Sequence, residues 1–247
     1  MKYLTLISLF FLLGCFSNVD KSQTIEEATK LGAPSVETYW KSEDYWTFRV
    51  YLSEIPNNAY PRFDSEKSKK LFDRLINSIY QDNFFDSSIP MEEQFESMLK
   101  LSKRWTAVLL KYNEAVQEGV DYSSELSHIQ GAMLRISNHG MDLIDEFMKS
   151  IDREDDTYEV RMEGVEQSKN GLSTQIKGLL LSIKETHFYS KEDRQIMIDY
   201  LIKEGPRLLQ RMTEKMRDEI NLELADMIST EMDPDILESL ENLRQEI

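Results

Sequence analysis

From residue 65 onward, apolar positions recur every three or four residues, the spacing that lines one face of an α-helix. Ser65 reads as the cap of a helix reaching about Asp82, with Leu71, Phe72, Leu75, Ile76 and Ile79 on one side. After the turn residues Asp86, Ser87, Ser88 and Pro90 the pattern lengthens. Met91, Phe95, Met98, Leu99, Trp105, Val108, Leu109, Tyr112 and Val116 form one stripe that ends at Gly119. Ser123 or Ser124 opens the next, which runs through Leu126, Ile129, Met133, Ile136, Leu143, Ile144 and Phe147 to Ile151.

A charged joint at 152–156 precedes a third stripe of Tyr158, Met162, Val165, Leu172, Ile176, Leu179 and Ile183. Ser190 followed by Asp193 has the form of a capped start, with an acid at the third helical position. The helix it opens carries apolar positions from Ile196 through Leu208 and Met216 to Ile228, and Gly205-Pro206 is expected to kink it. Asp233-Pro234 opens a last helix through Ile236, Leu237, Leu240 and Leu243.

The first 60 residues are patterned differently. A weak helix is expected over 25–31, ended by Gly32-Ala33-Pro34. Residues 43–55 combine an acidic start with aromatic and β-branched residues whose alternation also suits a strand. Ser42-Glu43-Asp44 as cap and acidic first turn, with no strand to pair against, tilts the reading to helix. Pro56-Asn57-Asn58 and Pro61 mark a break.

Four helical stretches of roughly 27 to 38 residues with narrow apolar stripes and short joints bury those stripes most simply against one another. The expected fold is all-α: a long antiparallel helical bundle over 87–247 with a smaller helical cap over 25–86, together one domain. No fixed-period self-similarity points to a helical repeat array.

Composition agrees with this. Hydrophobic residues make up 40% and charged ones 30%, too apolar for a wholly disordered chain, and only 9 Gly and 6 Pro interrupt it. The net charge of −16, from 45 acids against 29 Lys and Arg, repels phosphate backbones and anionic headgroups. Nucleic acid is therefore not an expected partner, and neither is a membrane met through the domain's own surface.

The N-terminus has a separate logic. Lys2 precedes an apolar run over residues 3–13, which at eleven residues is too short to cross a hydrocarbon core that needs about 20. It ends on Leu12-Leu13-Gly14-Cys15, which resembles the lipobox of bacterial lipoproteins. The resemblance covers only the first fifteen residues. It implies a signal peptide over 1–14, cleavage between Gly14 and Cys15, and acyl chains on Cys15. Two or three chains anchor stably because each buried methylene contributes about 0.8 kcal/mol. Residues 15–24 then form a lipidated tether. Cys15 is the only cysteine, so the fold uses no disulfide. Phe16 is not the Asp that resembles an inner-membrane retention signal. The expected location is the periplasmic face of the outer membrane in a Gram-negative cell, or the outer face of the cell membrane in a Gram-positive one.

Chemical motifs are sparse. Glu125 and His128 have the Glu-x-x-His spacing used by di-iron bundles, but those sites need the motif twice and it stands here once. His139 is about 16 Å further along the same helix, too far to share an ion with His128, and His187 stands apart. Met197, Met212, Met216 and Met227 could offer soft thioethers to copper, yet the stripe they occupy suits core packing. Ser137 and His139 are two apart, which on a helix turns them away from each other. No catalytic residue, metal ligand or cofactor is assigned, and the chain reads as non-enzymatic.

The least ordinary segment concentrates Tyr39, Trp40, Tyr45, Trp46, Phe48, Tyr51, Tyr60 and Phe63 in some 25 residues. Such residues anchor interfaces and equally well cap a core. Tyr39, Trp40, Tyr45 and Trp46 are the candidate interaction residues. The expected function is that of a membrane-anchored envelope lipoprotein acting as an interaction or scaffolding module for another envelope protein. The alternative is a small-ligand or metal-binding lipoprotein with a pocket in the bundle.

Overall fold

The computed structural model describes residues 32–82, 84–150, 154 and 158–246. The expected signal over 1–14, the expected tether over 15–24, the expected helix over 25–31 and all of the 152–156 joint except Glu154 lie outside the described residues, as does Ile151. The fold is all-α, and among the described residues there is no strand. The helices are α1 (Ser42–Glu54), α2 (Lys69–Asn77), α3 (Met91–Gln117), α4 (Ser123–Ser150), α5 (Tyr158–Lys184), α6 (Lys191–Leu209), α7 (Glu214–Thr230) and α8 (Pro234–Glu246). None of them is long and apolar enough to cross a membrane.

The chain divides into two compact units, one of the described residues up to Ile136 and the other from Ser137 onward, so the division falls inside α4. In the first unit the segment that could have been a strand is helix α1, buried through Tyr45, Phe48, Val50 and Leu52 and packed on α3. Three of these lie at helical intervals, and the Lys41 N–H donates to Asp44 Oδ2 (2.7 Å) at the start. The first unit thus includes the aromatic segment, α2, α3 and the first half of α4.

Helix α2 is shorter than its expected span of 65–82. The Ser65 carbonyl accepts the Ser68 and Lys69 N–H groups in a turn, regular helix holds only over Lys69–Asn77, and a 3₁₀ turn, Ser78–Tyr80, continues it. The expected apolar face survives, with Leu71, Phe72, Leu75, Ile76 and Ile79 all buried. Helix α3 is buried through Met98, Leu101, Trp105, Val108, Leu109, Tyr112 and Ala115, while its first two turns are half-exposed or exposed. It ends at Gly119 with φ +93°, where the Val120 N–H reaches the Ala115 carbonyl (3.0 Å) in a Schellman closure.

In the second unit, α6 packs on α5 and α8, and α7 packs on α5 and α8. Lys177 pairs with Glu219 and Lys184 with Glu223 and Asp226, so α5 and α7 run in the same direction. The Ser190 and Asp193 capping box opens α6 with both reciprocal bonds at 3.1 Å. Pro206 does not interrupt α6, contrary to the expectation of one long kinked helix over 191–228. The break comes at Gln210 to Thr213 instead. There the Arg211 and Met212 N–H groups fall back to carbonyls three residues earlier, and Thr213 Oγ1 accepts the Met216 N–H (3.3 Å) to begin α7. A tightened turn and a new cap end the helix where the proline does not.

Candidate functional site

The aromatic segment is largely a core. Trp40 (2% exposed) and Tyr45 (0%) meet edge to face with ring centroids 5.5 Å apart. Trp40 also contacts Phe48 at 5.1 Å, and Tyr45 contacts Trp105 of α3 at 5.5 Å. Every polar handle in this group finds a partner. Trp40 Nε1 donates to the Ser35 carbonyl (2.9 Å), Tyr45 Oη to the Leu75 carbonyl (3.0 Å), and Trp105 Nε1 to the Ile129 carbonyl (3.0 Å). Burial pushes the Tyr45 hydroxyl well above its ordinary range, which keeps it a neutral donor.

The four candidate interaction residues are therefore not one surface. Trp40 and Tyr45 face the core, where no partner reaches them. Tyr39 is 47% exposed and Trp46 half-buried, and each carries an arginine over its ring: Arg74 at 4.5 Å and Arg49 at 5.0 Å. Arg74 is held there by its Nε bond to the Val36 carbonyl (2.9 Å) and by Asp73 (3.0 Å).

A second aromatic group straps the 56–64 loop to α3 and α4. Tyr122 Oη accepts the Tyr60 N–H (2.9 Å) and donates to the Asn57 carbonyl (2.8 Å), and Tyr112 Oη donates to the Pro61 carbonyl (2.8 Å). Glu125, only 1% exposed, accepts the Phe63 N–H (3.1 Å). Burial raises its pKa above 4.5, and the backbone bond from Phe63 offsets part of that. His128, one turn on, lies against the rings of Phe63 (5.1 Å) and Phe72 (6.0 Å). The Glu-x-x-His pair is thus divided between a loop and a ring cluster.

The other histidines are separate from it: His139 is half-buried on α4, and His187 is exposed in the turn before α6. Among the described residues, no three His, Cys, Asp or Glu side chains come together as a metal ion would need. Met197, Met212 and Met227 are buried and Met216 half-buried, so three of the four thioethers sit in packed core. The concavity of about 420 Å³ on the second unit is lined by Glu159, Met162, Glu163, Glu166, Gln167 and Asn170, all of α5, and opens broadly to solvent.

The second unit also holds buried polar side chains that are not among the sequence-predicted site residues. Asn138 is 0%, Glu204 3% and Gln175 4% exposed. The signal was present: Glu204 stands on the apolar face of its helix between Leu201 and Leu208, three residues after one and four before the other. Compared with known proteins, the chain matches no family model, no curated protein and no solved structure.

Proposed function

We propose that this chain is a lipid-anchored bacterial envelope protein whose helical part is a non-enzymatic interaction or scaffolding module. The observation that carries the proposal is the apolar run closing on Leu12-Leu13-Gly14-Cys15, with Cys15 the only cysteine of the chain. An acyl anchor supplies membrane residence without any help from the domain surface, and the chain's net charge of −16 opposes anionic headgroups. Because Phe16 follows the cysteine, the periplasmic face of the outer membrane is the proposed site in a Gram-negative cell, and the outer face of the cell membrane in a Gram-positive one.

Tyr39 and Trp46 are the proposed docking anchors for an envelope protein partner. Both present aromatic surface stacked with arginine, the residue types that dominate interface energetics. The test is fractionation with intact-mass measurement on the wild-type chain and on Cys15→Ser. Wild type should stay in the membrane through a high-salt wash with a mass raised by acyl groups, and the variant should leave it. A wild-type chain that washes off with salt and carries no acyl mass removes the anchor from the proposal. In crosslinking on intact cells, Tyr39→Ala with Trp46→Ala should cut the yield of a specific crosslinked partner about tenfold. An unchanged yield removes those two residues from the interface.

A further inference from the structure

Two consecutive residues of α4, Ser137 and Asn138, reach in different directions into the core of the second unit. Asn138 Nδ2 donates both to the Glu204 backbone carbonyl and to Glu204 Oε2 on α6, each at 2.9 Å. Ser137 Oγ donates to Gln175 Oε1 on α5 (2.7 Å). Leu201 and Leu208 flank Glu204 along α6, and Leu172, Ile176 and Leu179 flank Gln175 along α5, all of them buried.

This polar layer is a poor way to gain stability. Among the described residues no cation lies within ion-pair distance of Glu204, and neither Asn138 Oδ1 nor Gln175 Nε2 has a hydrogen-bond partner. Burying a carboxylate and two incompletely bonded amides costs more than filling the same volume with leucine. What the layer supplies is position. An apolar stripe still finds apolar partners when a helix slides by one turn, about 5.4 Å. Asn138 meets a main-chain and a side-chain acceptor of the same residue in one alignment only, and Ser137 fixes the rotation of α4 toward α5 at the same level.

We infer that the Asn138–Glu204 and Ser137–Gln175 layer is a register device, selecting one alignment of the second half of α4 with α5 and α6 at a cost in stability. The test compares Asn138→Leu, the double variant Asn138→Leu/Glu204→Leu and Glu204→Gln in the full-length chain, by thermal unfolding and amide-resolved NMR. The single Asn138→Leu strands a buried carboxylate and should lower Tm by about 10 °C or more. The double variant should recover the wild-type Tm or exceed it, yet show doubled or broadened resonances from α4 to α6. Glu204→Gln keeps an acceptor for the asparagine and should retain a single set of resonances.

A double variant with one sharp set of resonances that stays sharp when Ser137→Ala is added would overturn the inference, because the register would then be chosen with neither pair of the layer in place. A double variant that melts below the single, or does not fold, would overturn it as well, because the layer would then be a source of stability. A Glu204→Gln spectrum as broad as that of the double would show that the hydrogen bonds do not do the selecting.

Discussion

Glu125 shows how much one buried titrating group contributes to pH dependence. Its folded pKa is raised above the ordinary 4.5, so the folded state holds the proton more tightly than the unfolded state does. The stability it contributes is fully present below pH 4.5 and is lost as pH rises through the raised folded value. Glutamine at this position keeps an oxygen for the Phe63 N–H and never ionises. In denaturant titrations, the unfolding free energy of Glu125→Gln relative to wild type should therefore increase from pH 4 to pH 7. A flat difference would mean that the carboxylate is not desolvated by the 56–64 loop. Arg194 is the opposite case, a buried cation with partners. It is 5% exposed, donates through Nε to the Ile183 carbonyl (2.7 Å), and pairs with Glu231. Among the described residues, Arg194→Met leaves the Glu231 carboxylate, 10% exposed, with only the Met232 and Asp233 N–H groups, and should cost about 3 kcal/mol in chemical denaturation.

Among the elements, two glycines separate backbone conformation from space. Gly119 and Gly205 both have nothing within 4 Å of an added Cβ, but Gly119 has φ +93° and Gly205 lies within α6. Gly119→Ala should therefore cost about 1 kcal/mol through backbone strain alone. Gly205→Ala should add about 0.5–1 kcal/mol by reducing the freedom of the unfolded chain. Thermal unfolding of the pair checks both signs. The break between α6 and α7 is likewise a local decision, since Thr213 caps α7 with its side chain. In hydrogen exchange, Thr213→Ala should lower protection in the first turn of α7 without altering α6.

For the whole molecule, the net charge of −16 sets the response to salt. Most of the ion pairs carry at least one substantially exposed partner, for example Lys149 with Glu146 at 69% and 58%, and such pairs contribute between zero and about 1 kcal/mol each. Screening them costs little, whereas screening an excess of acids relieves repulsion throughout the compact state. Tm should rise by a few degrees between about 10 mM and about 150 mM sodium chloride. A falling Tm would mean that the cross-helix pairs of Lys177 and Lys184 outweigh the net charge.

The all-helical class, most of the helix ends and most of the apolar faces were legible in the amino-acid pattern alone, because these follow from a 3.6-residue period and from short-range caps. Ser190 with Asp193 and Asp233 before Pro234 act where their spacing placed them. Tertiary structure decided what depends on distant neighbours. Helix α2 gives way to a turn at Ser65, and α6 runs on through Pro206 and stops three residues later at Leu209. Trp40 and Tyr45 turn inward against Phe48 and Trp105 while Tyr39 and Trp46 do not, a difference that aromatic content cannot foretell because both fates use the same side chains. Glu204 marked its own position on an apolar face, but its meaning came from Asn138, 66 residues away. A hydrogen bond between two helices requires that both be in place, whereas a cap requires only its own first turn.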